Sequence, residues 1–337
     1  MTAFVLMMVP ACSLGLDQTP QPNNPASRSG WDMGSVTVRL VRDKTLYTIA
    51  LRAESTKVSD AWRLPGAQDL GREFGEITCK GPSQIFASVA QRMPSEEGLA
   101  AHWGIWKCDL AERRCVPLAL PSDVQHLSPL VCRAGGGTLA ILSRVKGEAV
   151  SVLLMGEQES KVAEVPVDRS VVGISDWALD GRSLHVGVRR LGKLPEAYGQ
   201  VFGMVAPQQR AAGHAAELTM LPHLGVLQLD TGQVAIGEPG WDARLERTSG
   251  TVAWIGNTGQ GVFLRGPGSQ SAVYLPGFVK HLVGWHNERW LVGVSGAGYD
   301  DYIVIIDTRT NERRRFKVPG TGEIRSACLV PVHGQRD

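Results

Sequence analysis

The chain has 337 residues, with 35 Lys and Arg against 33 Asp and Glu and a formal net charge of +2. That balance argues against a nucleic-acid or other polyanion partner, whose footprint would be a clear basic excess. Apolar residues make up 43% and charged residues 20%, enough for a sizeable core and too little charge for global disorder. The 39 glycines far exceed the usual share of about 7% and imply frequent turns rather than long helices.

Residues 3–11, AFVLMMVPA, form an apolar run that ends at Cys12. It is too short to span a bilayer, which takes roughly 18 residues, but it has the length of the hydrophobic part of a secretory signal. No Lys or Arg precedes Arg28, so the charged part of such a signal would lie upstream of the given start. Val9-Pro10-Ala11-Cys12 resembles the lipobox of bacterial lipoproteins, with Pro10 departing from the pattern. The resemblance implies export and a lipid on Cys12, which would be the only membrane attachment. Residues 1–12 are thus read as signal-like. Residues 13–34, rich in Pro, Asn and Ser, are read as a flexible linker.

A single β domain is expected over 35–332. Short alternating or β-branched runs separated by Gly, Asp, Asn and Pro are strand and hairpin cues, and one unit recurs. Five strand pairs, 76–92, 130–144, 174–190, 243–256 and 282–295, are each followed by a second hairpin, at 103–118, 149–167, 224–240, 260–277 and 301–320. Two hairpins make a four-stranded antiparallel sheet. Such a unit cannot bury both faces alone, and a radial array of blades is the usual solution. The leftover strand 322–332 joins the leftover hairpin 36–54, with AWRLP (61–65) as outer strand, to make a sixth blade that ties the termini together. The expected fold is therefore an all-β, six-bladed β-propeller. A seventh blade would have to lie within 52–75 or in the segment 191–223, which is inserted between the second and third strands of one blade. Pro207 to Ala216 within it reads as mobile, and the insertion is either a contact element or inert decoration.

Asp176-Trp177-Ala178-Leu179-Asp180-Gly181-Arg182-Ser183-Leu184 resembles the W-S-P-D-G-(R/K)-x-(L/I) repeat of TolB-like propellers, with Ala-Leu where Ser-Pro is usual. The resemblance covers about 15 residues and implies a Trp packed between blades ahead of an Asp-Gly turn.

Apart from Cys12, the cysteines are Cys79, Cys108, Cys115, Cys132 and Cys328, with no C-x-x-C pair, so a zinc ribbon or redox dithiol is not expected. Cys108 and Cys115 flank the turn DLAERR and can face each other across a hairpin, the geometry a disulfide needs; in a cytoplasmic protein, the alternative location, they would be two reduced, half-buried thiols. The other three fall on the first strands of three neighbouring blades, either as one pair plus a thiol or as three buried thiols. His281, His286, Asp300 and Asp301 lack metal-ligand spacing, and the two acids read as a solvated hairpin turn. Gly293-Val294-Ser295-Gly296-Ala297 misses the nucleophile elbow. Arg313-Arg314-Arg315-Phe316-Lys317 lies on an outermost strand, where charge keeps a sheet edge from pairing with other chains. No segment calls for a cofactor or a metal.

Two functions remain open. One is a non-enzymatic propeller of the bacterial envelope that binds a protein or small ligand at one face. The other is a propeller enzyme of lactonase, glycosidase or lyase type, whose acids converge from different blades. Three or four acids or histidines at the channel mouth would favour the enzyme, and a mixed or apolar face would favour binding.

Overall fold

The computed structural model describes residues 31–331 except 54, 65–71, 96–97, 121–123, 133–137, 146–149, 157–160, 193–218, 257–259 and 298–299. Every described element is a strand, and the strands form six four-stranded antiparallel sheets. The first blade combines β24 (Ile324–Leu329) with β1 (Val36–Arg42), β2 (Thr45–Arg52) and β3 (Ser55–Arg63). The second is β4 (Glu73–Cys79), β5 (Gln84–Ser95), β6 (Gly98–Asp109) and β7 (Arg114–Pro117). The third is β8 (Val124–Cys132), β9 (Leu139–Val145), β10 (Val150–Met155) and β11 (Lys161–Val167). The fourth is β12 (Val171–Trp177), β13 (Ser183–Gly192), β14 (Thr219–Gln228) and β15 (Val234–Pro239). The fifth is β16 (Trp241–Leu245), β17 (Val252–Ile255), β18 (Gly261–Arg265) and β19 (Val273–Pro276). The sixth is β20 (His281–His286), β21 (Trp290–Ala297), β22 (Asp300–Asp307) and β23 (Arg313–Phe316). The chain is a six-bladed β-propeller.

The two ends of the chain close the ring in one sheet: Cys328 pairs with Arg39, and Leu40 pairs with Tyr47 one strand further out. The outer strand of this blade starts at Ser55, ahead of the expected AWRLP. STKVSDAWR is mostly exposed, so a polar edge strand carries little of the apolar alternation that marks the inner ones. In the fourth blade β13 and β14 pair out to Gly192 and Thr219, so the ladder runs into both ends of the 191–223 segment.

Packing between blades holds the ring. Each of six apolar cores lies in the joint between two neighbouring blades. Successive residues of one strand therefore serve different cores. In β22, Ile303 and Ile305 face the first blade while Val304 and Ile306 face the fifth. Strands buried on both faces read as continuous Val/Ile/Leu runs rather than as alternation, which is the pattern of YIVIID. Among the described residues the joint between blades four and five has the smallest core, with Leu224, Ala243 and Trp254 buried. There the Arg265–Glu238 ion pair and the bonds to Asp176 described below add polar cross-links.

All innermost strands run the same way. The first and third turns of each blade thus lie at one end of the ring, the lower end. The second turns and the blade-to-blade connections lie at the upper end.

Candidate functional site: the central channel

The Asp176–Leu184 motif folds as a joint and a turn. Trp177 is 2% exposed in the core between blades three and four. Asp180 Oδ1 accepts the backbone N–H groups of Arg182 and Ser183 at 2.8 and 2.9 Å, and Oδ2 accepts the Ser183 hydroxyl at 2.7 Å. Gly181 sits at φ 61°, a left-handed conformation that glycine takes without the Cβ penalty. Bonding and nearby Arg182 together outweigh the opposing effect of burial and lower the Asp180 pKa. Leu179, where the repeat usually has proline, is exposed.

Asp176 belongs to a second pattern that runs around the ring. Its Oδ2 accepts the N–H of Leu245 on the next inner strand at 2.9 Å, and its Oδ1 accepts Arg247 Nη2 at 2.6 Å. Asp242 Oδ2 accepts the N–H of Leu282 at 2.6 Å, and its Oδ1 lies 2.9 Å from Arg244 Nη2. Asp301 Oδ2 accepts the N–H of Ile324 at 2.9 Å, and its Oδ1 accepts Lys280 Nζ at 2.6 Å. Ser326 Oγ accepts the N–H of Ile77, and Thr78 Oγ1 accepts that of Cys132. Among the described residues, five of the six joints thus carry a side-chain-to-backbone staple from one inner region to the next. A buried backbone donor must be satisfied, and here each does so by fixing its neighbouring blade.

The staples correct two expectations. Of the two acids read as a solvated turn, Asp300 is exposed, at 73% of its side chain, while accepting Arg42 Nη2 and the N–H of Gly322, both at 3.2 Å, but Asp301 is 3% exposed and not solvated. The arginine run also does more than guard an edge. Arg313 donates to the Leu275 carbonyl in blade five, Arg314 donates to the Ala53 carbonyl in blade one, and Arg315 lies 5.2 Å over the Tyr302 ring.

Every innermost strand is bulged against its neighbour. A bulge adds a residue, bends the strand and re-aims a side chain. Residues at these irregularities, among them Glu76, Val172, Ser175, Asp242, Val283 and Arg325, line a recess of about 270 Å³ in the channel. Ile174, Trp241, Arg244, His281, Leu282 and Ser326 also line it. These lie mainly in the first halves of their strands, which places the recess towards the upper end. Asp242 takes φ 56°, a left-handed conformation that Asp tolerates better than most residues. His281 and Arg325 keep side-chain exposures of 58% and 45%. His281 Nδ1 is 3.8 Å from Asp242 Oδ2, beyond hydrogen-bond reach. Arg325 lies 3.2 Å from Glu73 Oε1. No period or motif announces these residues, because a bulge breaks the alternation from which a facing is read.

Elsewhere, His286 Nε2 donates to the Met33 carbonyl at 2.9 Å, and Ser295 Oγ donates to the Phe278 carbonyl at 2.8 Å. Both are structural contacts. Cys108 and Cys115 are register partners joined as a disulfide, with Cα atoms 4.0 Å apart. Cys79 and Cys328 form a second disulfide, Cα–Cα 5.9 Å, between the inner strands of blades two and one. The Cys132 thiol is outside both pairs, and burial pushes its pKa up to about 12, which makes it a poor nucleophile. Among the described residues no cluster of acids, histidines and cysteines could hold a metal ion. Cys12 and the signal-like segment lie outside the described residues.

No family model matches the sequence, and no curated protein is similar to it. Solved structures do share the fold. The chain is similar to TolB from Acinetobacter baumannii, with a TM-score of 0.57 and 12% identity over 89% of this chain and 68% of that one. It is similar to a TolB assigned in Agrobacterium tumefaciens, with a TM-score of 0.54 and 11% identity over 88% and 98%. A chain of the nidogen/laminin complex matches with a TM-score of 0.57 and 8% identity over 88% and 98%. TolB-like propellers are thus among its structural neighbours.

Proposed function

We propose that this chain is a non-enzymatic, exported propeller of the bacterial cell envelope, tethered through a lipid on Cys12, that seats a protein or small ligand over the upper recess. The observation that carries the binding reading is the state of the carboxylates. Asp176, Asp242 and Asp301 each have both oxygens engaged, one by a backbone N–H of the next blade and the other by an Arg or Lys. A general acid or base needs an oxygen within reach of the substrate proton.

Three acids or histidines do reach the recess, namely Glu76, Asp242 and His281, but Asp242 is spent on its staple. Glu76 is the one lining carboxylate without a hydrogen bond among the described residues. Glycoside hydrolysis takes a pair of carboxylates. The rest of the recess mixes aliphatic and aromatic side chains with a few polar groups, the usual character of a binding site. Export is supported by the apolar run ahead of Cys12 and by two disulfides, which persist in oxidising compartments.

The test places a photo-reactive side chain at Val172, on the recess, and at Val273, on an outer strand, in the full chain expressed with a competent signal in a Gram-negative host. Adducts of defined mass from Val172 and none from Val273 are expected. Equal yields or no adduct at Val172 would overturn the binding site. Hydrolytic turnover lost in Glu76→Gln would instead establish the enzyme. In the same cells Cys12→Ala should release the protein from the membrane fraction, and unchanged association would remove the anchor.

A further inference from the structure

The segment that leads into the ring is itself packed. Trp31 is 6% exposed and Met33 2% exposed, both in the core between blades six and one. The Trp31 ring lies 4.7 Å from that of Trp290, its Nε1 donates to Glu312 Oε2 at 2.7 Å, and the Arg314 guanidinium lies 4.3 Å over its face. His286 donates to the Met33 carbonyl at 2.9 Å. An indole that stacks, donates and receives a cation on its face has both its apolar body and its polar edge satisfied. Residues 31–33 are therefore part of the ring, although their position after a Pro/Asn/Ser-rich stretch reads as linker.

All four partners are at the lower end. His286 ends β20, Trp290 begins β21, Glu312 lies in the turn after β22, and Arg314 is near the start of β23. The recess is at the other end. The connection between β13 and β14 also leaves and re-enters the ladder there, after Gly192 and before Thr219. The chain thus enters the ring at one end and offers its recess at the opposite one.

From these positions we infer that the Trp31–Met33 strap orients the propeller, with the lower end towards its own membrane anchor and the recess turned away from it. This rests on the lipid-anchor reading of Cys12. Eighteen residues, 13–30, separate Cys12 from the strap. The two ends of a seven-residue inner strand are about 23 Å apart at 3.3 Å per residue. Because Trp31 and Met33 fix the entry of the chain at the lower end, the anchor is joined to that end directly and to the upper end only across the height of the ring. The partner that meets the recess is therefore one that approaches from the side away from the anchoring membrane. It is a soluble or opposite-facing envelope component rather than a lipid headgroup of the anchoring leaflet.

The experiment uses the full chain on phosphatidylcholine vesicles carrying an acceptor dye in their headgroups. A donor dye is coupled either at Gln270, in the turn after β18 at the lower end, or at Glu323, just ahead of β24 at the upper end. Both positions are exposed. Lipidated protein is used where fractionation shows that Cys12 is modified. Otherwise an N-terminal histidine tag on nickel-chelating lipid supplies the tether, so failure of the lipid reading and failure of the orientation remain distinct. Energy transfer from Gln270 at least about twofold that from Glu323 is expected, given ends about 23 Å apart. Equal or reversed transfer would overturn the inference. Trp31→Ala should bring the ratio towards one, and an unchanged ratio in that variant would show that the strap does not set the orientation.

Discussion

Cys79 and Cys328 are 249 residues apart, whereas Cys108 and Cys115 are 7 apart, and the difference sets a quantitative test. In the chain-entropy view a cross-link stabilises by restricting the unfolded chain, and the restriction grows with the logarithm of the loop. That gives about 5.5 kcal/mol for the long loop and about 2.5 kcal/mol for the short one. All four cysteines belong to the same apolar joint between blades one and two, so the cost of putting serine there is similar for both pairs. Comparing the double variants Cys79→Ser/Cys328→Ser and Cys108→Ser/Cys115→Ser thus isolates loop length, with the first less stable by about 3 kcal/mol. The assay is guanidinium unfolding of oxidised protein at one pH, preceded by peptide mapping in which Cys132 is alkylated and the two pairs are not. Equal losses, or a larger loss for the Cys108–Cys115 pair, would refute the reasoning. So would a mapped Cys79–Cys132 linkage.

Trp177→Ala should cost about 3–5 kcal/mol, because it empties a large site between two blades; calorimetry showing a loss below about 1 kcal/mol would place the indole outside the core. Burial is the main cause that depresses the pKa values of His185 and His286, with the Asp176 charge opposing it at the first and the Met33 hydrogen bond at the second. Both are therefore neutral in the folded ring, and their contribution to stability is complete above the unfolded pKa of about 6.5 and declines as pH falls below it. A thermal midpoint that stays level from pH 7.5 to 5.5 would contradict this. At Asp307, burial works to raise the pKa, but the Arg289 fork and the Arg309 N–H outweigh it. Its stabilisation holds above the ordinary carboxylate range of about 4 and fades as pH falls through the lowered value. Asp307→Asn should accordingly flatten the acid limb of the stability profile.

The blade plan was legible because each blade is two hairpins with turn residues of definite chemistry. The Asp-Gly turn at Asp180, the Asp-Thr-Gly turn at Asp230 and the run YIVIID each declare local structure. The closing strand was legible as a remainder, since Ile324–Leu329 had no partner in sequence. What was not legible depends on contacts between blades. Asp301 reads as one of two acids in a turn, and only the ring brings the N–H of Ile324 to it. Arg314 reads as edge charge until Trp31 and Ala53 arrive from the other end of the chain. The recess was hidden for a different reason. Glu76, Asp242 and Arg325 sit at irregularities of the innermost strands, and the two-residue period that reveals a facing fails at a bulge.

The central claim is that Asp176, Asp242 and Asp301 are structural staples while the recess serves binding. Its most direct test is the unfolding free energy of Asp176→Asn, Asp242→Asn and Asp301→Asn set against Glu76→Gln. Each staple variant loses a charged acceptor from a buried backbone donor and should cost about 1.5–3 kcal/mol. Glu76 has no such bond among the described residues, and its variant should remain within about 0.5 kcal/mol of the parent. Acids held for catalysis behave the other way, because active sites are kept at a cost to stability and their replacement is neutral or stabilising. Three neutral or stabilised aspartate variants would therefore contradict the account and return the channel to the propeller enzymes.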